Sequence, residues 1–188
     1  MQPKTAAADR PLPAEYFRFF DLPDHLNIDL ADLEKRYYAL SRKWHPDRYA
    51  RKSEAERNEA EQNTALLNDA YRTLKDPVRR AEYLLTQHGL AAAQQSAPPD
   101  LLEEVFELNM ALEEIRDGDS SVRPQLESAQ SKFILMQDEI DSMLQNEFVT
   151  FDSSVDSSAA SLGRIRAILN RRNYIRNLLR DVDKALQT

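Results

Sequence analysis

The chain has no cysteine, only three glycines in 188 residues, and no apolar run longer than a few positions. Each shortage excludes something. Without cysteine there is no disulfide, no thiolate ligand for a metal or cluster, and no cysteine nucleophile. Tight turns, β-bulges and phosphate-cradling loops lean on glycine, so its scarcity argues against sheet proteins and P-loop folds. Short apolar runs leave nothing to span a bilayer as a helix. The first thirteen residues, MQPKTAAADRPLP, lack the apolar centre of a signal peptide. They also carry Asp9 and two prolines after it, where a transit peptide would show an amphipathic helix rich in Arg and Ser. Residues 1–13 are therefore expected to be a disordered tail on a soluble, cytoplasmic protein.

What is present points to helices. The chain is 41% apolar and 30% charged, rich in Ala, Glu, Leu, Arg and Gln, the composition of helix packed on helix. Its net charge of −7 is uneven. Residues 1–90 hold 15 Lys/Arg against 15 Asp/Glu, whereas residues 91–188 hold 10 against 17. Such asymmetry marks two units with different partners. The acidic total argues against nucleic acid, which demands clustered cations.

The boundary falls at Gly89 to Pro99. Gly89 can end a helix in the left-handed conformation, and Pro98-Pro99 cannot continue one. This sets a first unit over 14–90, a linker over 91–99 and a second unit over 100–188. In the first, Ala14 to Phe20 reads as a short aromatic helix closed by Leu22-Pro23. Asp29 is an N-cap for a helix to about Lys43 with Leu33, Tyr37 and Leu40 on one face. Trp44 to Tyr49 is read as a loop, because Pro46 disfavours helix at His45. A helix from about Ser53 to Lys75 carries Ala60, Thr64, Leu67, Tyr71 and Leu74 at helical spacing. Asp76-Pro77 caps and starts another.

In the second unit, Asp100 and Glu103 suggest a capping box. Leu101, Val105, Leu108, Leu112 and Ile115 make a core seam. After a break at Asp117-Gly118-Asp119, one row runs Leu126, Phe133, Ile140 and another Ala129, Met136, Met143. A break over Asp152 to Ser161 precedes a last helix with Ile168, Ile175, Val182 and Ile165, Leu179, Leu186. Arg172 interrupts a row and is expected to snorkel at the edge. The all-α expectation is a helical hairpin with short flanking helices, then an antiparallel three-helix bundle.

His45-Pro46-Asp47 is weak evidence alone, since an ordinary turn would use the same residues. Its context is more specific: it lies between a helix basic on its flanks (Lys35, Arg36, Arg42, Lys43) and one ending in Asn68-Asp69-Ala70-Tyr71, followed by Asp76-Pro77 and Arg80-Ala81-Glu82-Tyr83. Over about residues 14 to 88 the chain resembles the J-domain family. The resemblance implies a co-chaperone that activates the ATPase of a DnaK/HscA-type chaperone. His45, Pro46, Asp47, Lys35, Arg36, Arg42, Lys43 and Arg48 are then the docking residues, with Asp47 the least replaceable. The chain departs from general J-domains at Tyr38-Ala39, where basic residues are usual, which favours a dedicated ATPase partner.

The second unit has neither a Gly/Phe-rich stretch nor a cysteine-rich zinc module before it. A J-domain followed by an acidic helical bundle resembles the HscB family, co-chaperones of iron–sulfur cluster assembly. That resemblance implies binding of the scaffold IscU through Leu102, Glu103, Phe106, Glu107, Met110 and Glu114, with Tyr174 opposite on the last helix. Glu103 and Met110 depart from the family's usual residue types. The spacing supports a stripe independently: with the seam committed to the core, Leu102, Phe106 and Met110 recur at i, i+4, i+8 beside it, flanked by glutamates. A wider core, with Leu102 and Phe106 packed under the J-domain, fits the same pattern. The histidines, His25, His45 and His88, fall in separate elements, and no catalytic motif is present. The expectation is a protein with no catalytic residue, cofactor or metal, either monomeric or weakly homo-oligomeric. A bacterial cytoplasm is expected, with the mitochondrial matrix as the alternative.

Overall fold

Helix-forming runs separated by strong caps dictate the architecture of the computed structural model, which describes residues 15–90, 98–153 and 159–187. The expected tail and most of the expected linker lie outside these residues. The described residues are helical or in turns, with no strand among them. They fall into two compact units divided after Leu90.

In the first unit, α1 (Glu15–Phe19) ends when Asp21 takes a left-handed conformation, φ 53°. The Leu22 N–H then reaches back to the Phe17 carbonyl at 2.8 Å, the bond of a left-handed helix stop. This stop precedes Leu22-Pro23, where the sequence placed it. The Asp29 carboxylate accepts from the Ala31 and Asp32 N–H groups and starts α2 (Leu30–Trp44). A one-turn helix, α3 (Pro46–Tyr49), follows. Ser53 and Glu56 form a reciprocal capping box for α4 (Glu54–Lys75), and the Ser53 bonds hold the Glu56 carboxyl below its usual range. The Asp76 carboxylate caps α5 (Pro77–Gln87) with Pro77 in first position. Gly89, φ 70°, ends that helix, the Leu90 N–H reaching the Leu85 carbonyl at 2.8 Å.

α2 and α4 form the hairpin, with α1 and α5 packed against α4. Leu33, Leu67, Ala70 and Leu74 are fully buried, with Phe17, Phe20 and Leu26 beneath α1 and its turn. Tyr37 stacks on Tyr71 at 4.2 Å between centroids and donates its hydroxyl proton to Asn68 Oδ1 at 3.0 Å. The Asn68 to Tyr71 run is thus the seam that sets hairpin register. Tyr83 stacks on Tyr16 at 4.5 Å, and burial pushes its phenol up to about 12. Arg80 is buried and donates to the Leu74 carbonyl across the α4–α5 corner.

The second unit comprises α6 (Leu102–Arg116), α7 (Arg123–Ser153) and α8 (Ala159–Leu186), with short 3₁₀ turns at Pro99–Leu101 and Ser120–Val122. Gly118, φ 96°, and Asp119 make the break between α6 and α7. Leu101, Leu108, Leu126, Phe133, Ile140, Ile175 and Val182 share one core.

Four details differ from the sequence reading. Asp100 does not cap α6. It lies inside the 3₁₀ turn, its carboxylate paired with Arg171 at 2.8 Å. Met143 is exposed and Leu144 is buried instead. A straight helix drifts about 20° per heptad, so the two heptads from Ala129 turn Met143 about 40° off its row and bring Leu144 toward the core. Arg172 does not snorkel: its side chain is 15% exposed and grips Asp141 through two bonds. Asp152 and Ser161, the expected limits of a break, are both helical, since α7 runs to Ser153 and α8 begins at Ala159, and the rest of that expected break lies outside the described residues or in α8.

Candidate functional site

Proline at position 46 has two local effects. It pushes His45 out of the helical region, to φ −58° and ψ 130°, and its own fixed φ suits the first position of a helix. The Trp44 to Tyr49 segment is therefore not a loop, as the sequence suggested, but a single-residue break followed by one helical turn. His45 caps that turn, its Nδ1 accepting from the Asp47 N–H at 3.3 Å. This leaves Nε2–H as a donor on an imidazole side chain 55% exposed, while the Asp47 side chain is 89% exposed. The imidazole Nδ1 and an Asp47 carboxylate oxygen stand 3.5 Å apart.

The base of this turn is held at several points. The Thr64 hydroxyl on α4 lies 3.3 Å from the Trp44 carbonyl, within donating distance, and 2.8 Å from the Ala60 carbonyl. Arg48 donates to the Arg42 carbonyl at 3.3 Å, folding α3 back on α2. Trp44 stacks on Tyr49 with centroids 6.3 Å apart, and Lys43 sits 4.6 Å above the Trp44 ring. The sequence placed Thr64 only as one member of a helical row. A hydroxyl amid apolar residues on a core-facing row was the available signal for its tie to α2.

The docking cations divide into two groups. Lys35, Arg42 and Lys43 are exposed along α2, and Arg48 is exposed on α3. Arg36 instead faces the end of α1. It donates to the Phe20 and Asp21 carbonyls at 2.8 and 2.7 Å and to Asp32 at 2.7 Å, and the Asp32 bond raises its pKa. Its guanidinium holds the left-handed turn at Asp21.

In the second unit, Leu102, Phe106 and Met110 are 56%, 66% and 47% exposed on α6. Within the bundle itself, Leu102 and Phe106 are not part of the core. Glu103, Glu107 and Glu114 are exposed beside the stripe. Tyr174 is half-buried against the shared core, and burial pushes its phenol up. Glu104, which the sequence did not single out, bonds Lys132 of α7 at 2.7 Å, and this bond lowers its pKa. The two sets of expected residues thus lie in different units, one around α3 and one on α6 and α8.

Comparison with known proteins agrees with this division. The DnaJ domain family matches residues 15–83, and the HSCB C-terminal oligomerisation domain family matches residues 97–183. A co-chaperone protein HscB homolog of Vibrio cholerae is 42% identical over 103 residues, or 53% of this chain and 60% of that relative. The match therefore spans less than two thirds of the curated relative's length. The solved chaperone HscB from Vibrio cholerae is 30% identical with a TM-score of 0.63, covering 92% of this chain and 97% of that one. Human co-chaperone protein HscB shares the fold at 24% identity and a TM-score of 0.66, covering 98% and 85%. A J-domain hairpin with an exposed His-Pro-Asp turn, joined to a helical bundle, defines a J-domain co-chaperone. The chain belongs to the HscB family. Among the described residues no helix is long and apolar enough to cross a membrane.

Proposed function

We propose that this protein is the adaptor of iron–sulfur cluster assembly, holding an IscU-type scaffold on its bundle and presenting it to an HscA/DnaK-type chaperone. The His45-Pro46-Asp47 turn stimulates that chaperone's ATPase, so the role is allosteric activation of a partner's catalysis. One observation carries this reading: a histidine donor and a carboxylate are both exposed on a turn clamped at its base by α4. A pre-organised turn loses little entropy on docking, so directional bonds from His45 and Asp47 can select one partner conformation. Lys35, Arg42, Lys43 and Arg48 supply steering toward an acidic surface. Leu102, Phe106, Met110 and Tyr174 supply apolar contact for the scaffold, and Glu103, Glu107 and Glu114 orient it. The site of action is a bacterial cytoplasm.

The test is steady-state ATPase of an HscA-type chaperone with this protein, with IscU, and with both. The expected result is stimulation by the protein that rises further, more than additively, with the scaffold. Stimulation without synergy would reduce the reading to a J-domain protein for other clients.

A further inference from the structure

The His45-Pro46-Asp47 sequence starves the end of the helix that carries it. In an α-helix each carbonyl accepts from the N–H four residues on, and the last carbonyls must find donors elsewhere. At the end of α2 that shortage is compounded. The donor due to the Arg42 carbonyl would come from residue 46, a proline without an N–H. The donor due to Lys43 is the Asp47 N–H, which bonds His45 Nδ1. The donor due to Trp44 is the Arg48 N–H, which turns to the His45 carbonyl at 3.0 Å. Side chains make up two of these deficits. Arg48 Nη1 reaches the Arg42 carbonyl and the Thr64 hydroxyl reaches that of Trp44, each at 3.3 Å.

The two donors are not equivalent. Arg48 belongs to the turn and moves with it, whereas Thr64 stands on α4, the other arm of the hairpin. Its hydroxyl has one proton and two acceptors, the Ala60 carbonyl of its own helix at 2.8 Å and the Trp44 carbonyl. Thr64 is therefore where α4 bonds the residue just before His45. The Trp44 ring adds no polar tie, since its Nε1 is buried with no hydrogen-bond partner among the described residues. It is held by stacking on Tyr49, the last residue of α3. Trp44 and Tyr49 thus bracket the turn, and the bracket is only as fixed as the backbone at Trp44. We infer that Thr64 is a positioning residue for the docking turn, its hydroxyl holding His45 and Asp47 in the geometry that the chaperone meets. The inference rests on the ATPase-activation reading above.

Thr64→Val keeps the shape of the side chain and removes its hydroxyl, whereas Thr64→Ser keeps the hydroxyl and removes the methyl. The usual net worth of one hydrogen bond corresponds to about two- to tenfold in a population ratio. A partner that binds one geometry loses apparent affinity as the share of that geometry falls. Thr64→Val should therefore raise the concentration needed for half-maximal stimulation of an HscA-type ATPase by about three- to tenfold, with the maximum unchanged. Thr64→Ser should match the parent. Trp44, the single tryptophan of the chain, reports on the same change. Under Thr64→Val its emission should shift to the red and open to acrylamide quenching as the indole N–H meets water. A residue that only stabilised the fold would lower the melting temperature and leave stimulation, measured well below the melt, at the parental level. That outcome overturns the inference, and so does equal impairment by both substitutions, because the hydroxyl would not be the agent. Asp47→Ala is measured alongside. If it loses stimulation while Thr64→Val matches the parent, the ATPase-activation reading stands without the inference. If both keep parental stimulation, both fall.

Discussion

Truncating Phe106 to alanine separates a binding surface from a core more cleanly than any other change in this chain. A phenylalanine offers roughly 150–250 Å² for burial. At 66% exposure, about 100–165 Å² of that remains to be covered by a partner. At about 25 cal/mol per Å² the upper limit of its contribution is about 2.5–4 kcal/mol. Ordering and imperfect desolvation reduce this toward the usual range for an interface anchor, so about 2 kcal/mol, near thirtyfold in Kd, is expected. The fold itself should hardly notice. The third already buried contributes at most about 1–2 kcal/mol, and alanine returns several tenths through its higher helix propensity. A core phenylalanine would instead cost about 3–5 kcal/mol. The assay is calorimetric titration with IscU, paired with a thermal melt of the free protein. A melting temperature lowered by many degrees would refute the exposed placement. An unchanged affinity with an unchanged melt would refute the role.

Asp47→Ala should abolish ATPase stimulation while leaving the far-UV circular dichroism spectrum intact, because its side chain is solvent-exposed. Stimulation that survives would remove the turn from the mechanism. Arg36→Ala and Lys35→Ala should behave differently despite adjacent positions. The first lowers the melting temperature of the J-domain by releasing the Asp21 turn, and the second leaves the melt alone but raises the chaperone concentration needed for half-maximal stimulation. Equal effects on both measurements would show that Arg36 is an ordinary docking cation. Asp100 and Glu104 are held below their ordinary values of 3.8 and 4.5 by Arg171 and Lys132 respectively. A depressed carboxylate contributes stability that is present above its unfolded value and lost as pH falls through the folded one. The bundle should therefore lose stability from about pH 4.5 downward, and Glu104→Gln should flatten that limb of a melting-temperature profile.

Elements whose boundaries depend on neighbouring residues were legible in the sequence. Asp29, Ser53, Asp76 and Gly89 act within a turn of their own position, so a linear reading places the helices they start or end. The seam residues Leu108, Phe133 and Ile175 follow from periodicity alone. What escaped depends on a partner far along the chain or on accumulated geometry. Asp100 looks like a cap until Arg171, on another helix, claims its carboxylate. Arg36 resembles its basic neighbours until the α1 turn supplies two carbonyls. Met143 left the core row because helical drift adds up over heptads. Pro46 acts in two directions at once: it bars helix at His45, which reads as a loop, and its own fixed φ starts one at the next position.

The two units dispose of their apolar surface in opposite ways, and this carries a consequence for mixtures. In the J-domain the rings pair off against each other, Tyr16 with Tyr83, Tyr37 with Tyr71, Trp44 with Tyr49. What remains outside around the turn is charge and hydrogen-bonding capacity, suited to a small, transient contact. The bundle leaves Leu102, Phe106 and Met110 exposed, so in the proposed function its grip on a scaffold draws on apolar burial and should outlast the chaperone encounter. Changes in separate units with no shared partner act independently. An Asp47→Ala protein should therefore bind IscU with parental affinity yet pass nothing on. Added in excess to a reaction containing the unaltered protein, it should suppress scaffold-dependent ATPase synergy in proportion to its share of the total. The same excess of an Asp47→Ala, Phe106→Ala double variant should leave synergy largely intact, because it no longer sequesters the scaffold. Suppression by both variants alike would mean that the inhibition arises at the chaperone, and that the turn still docks without its carboxylate.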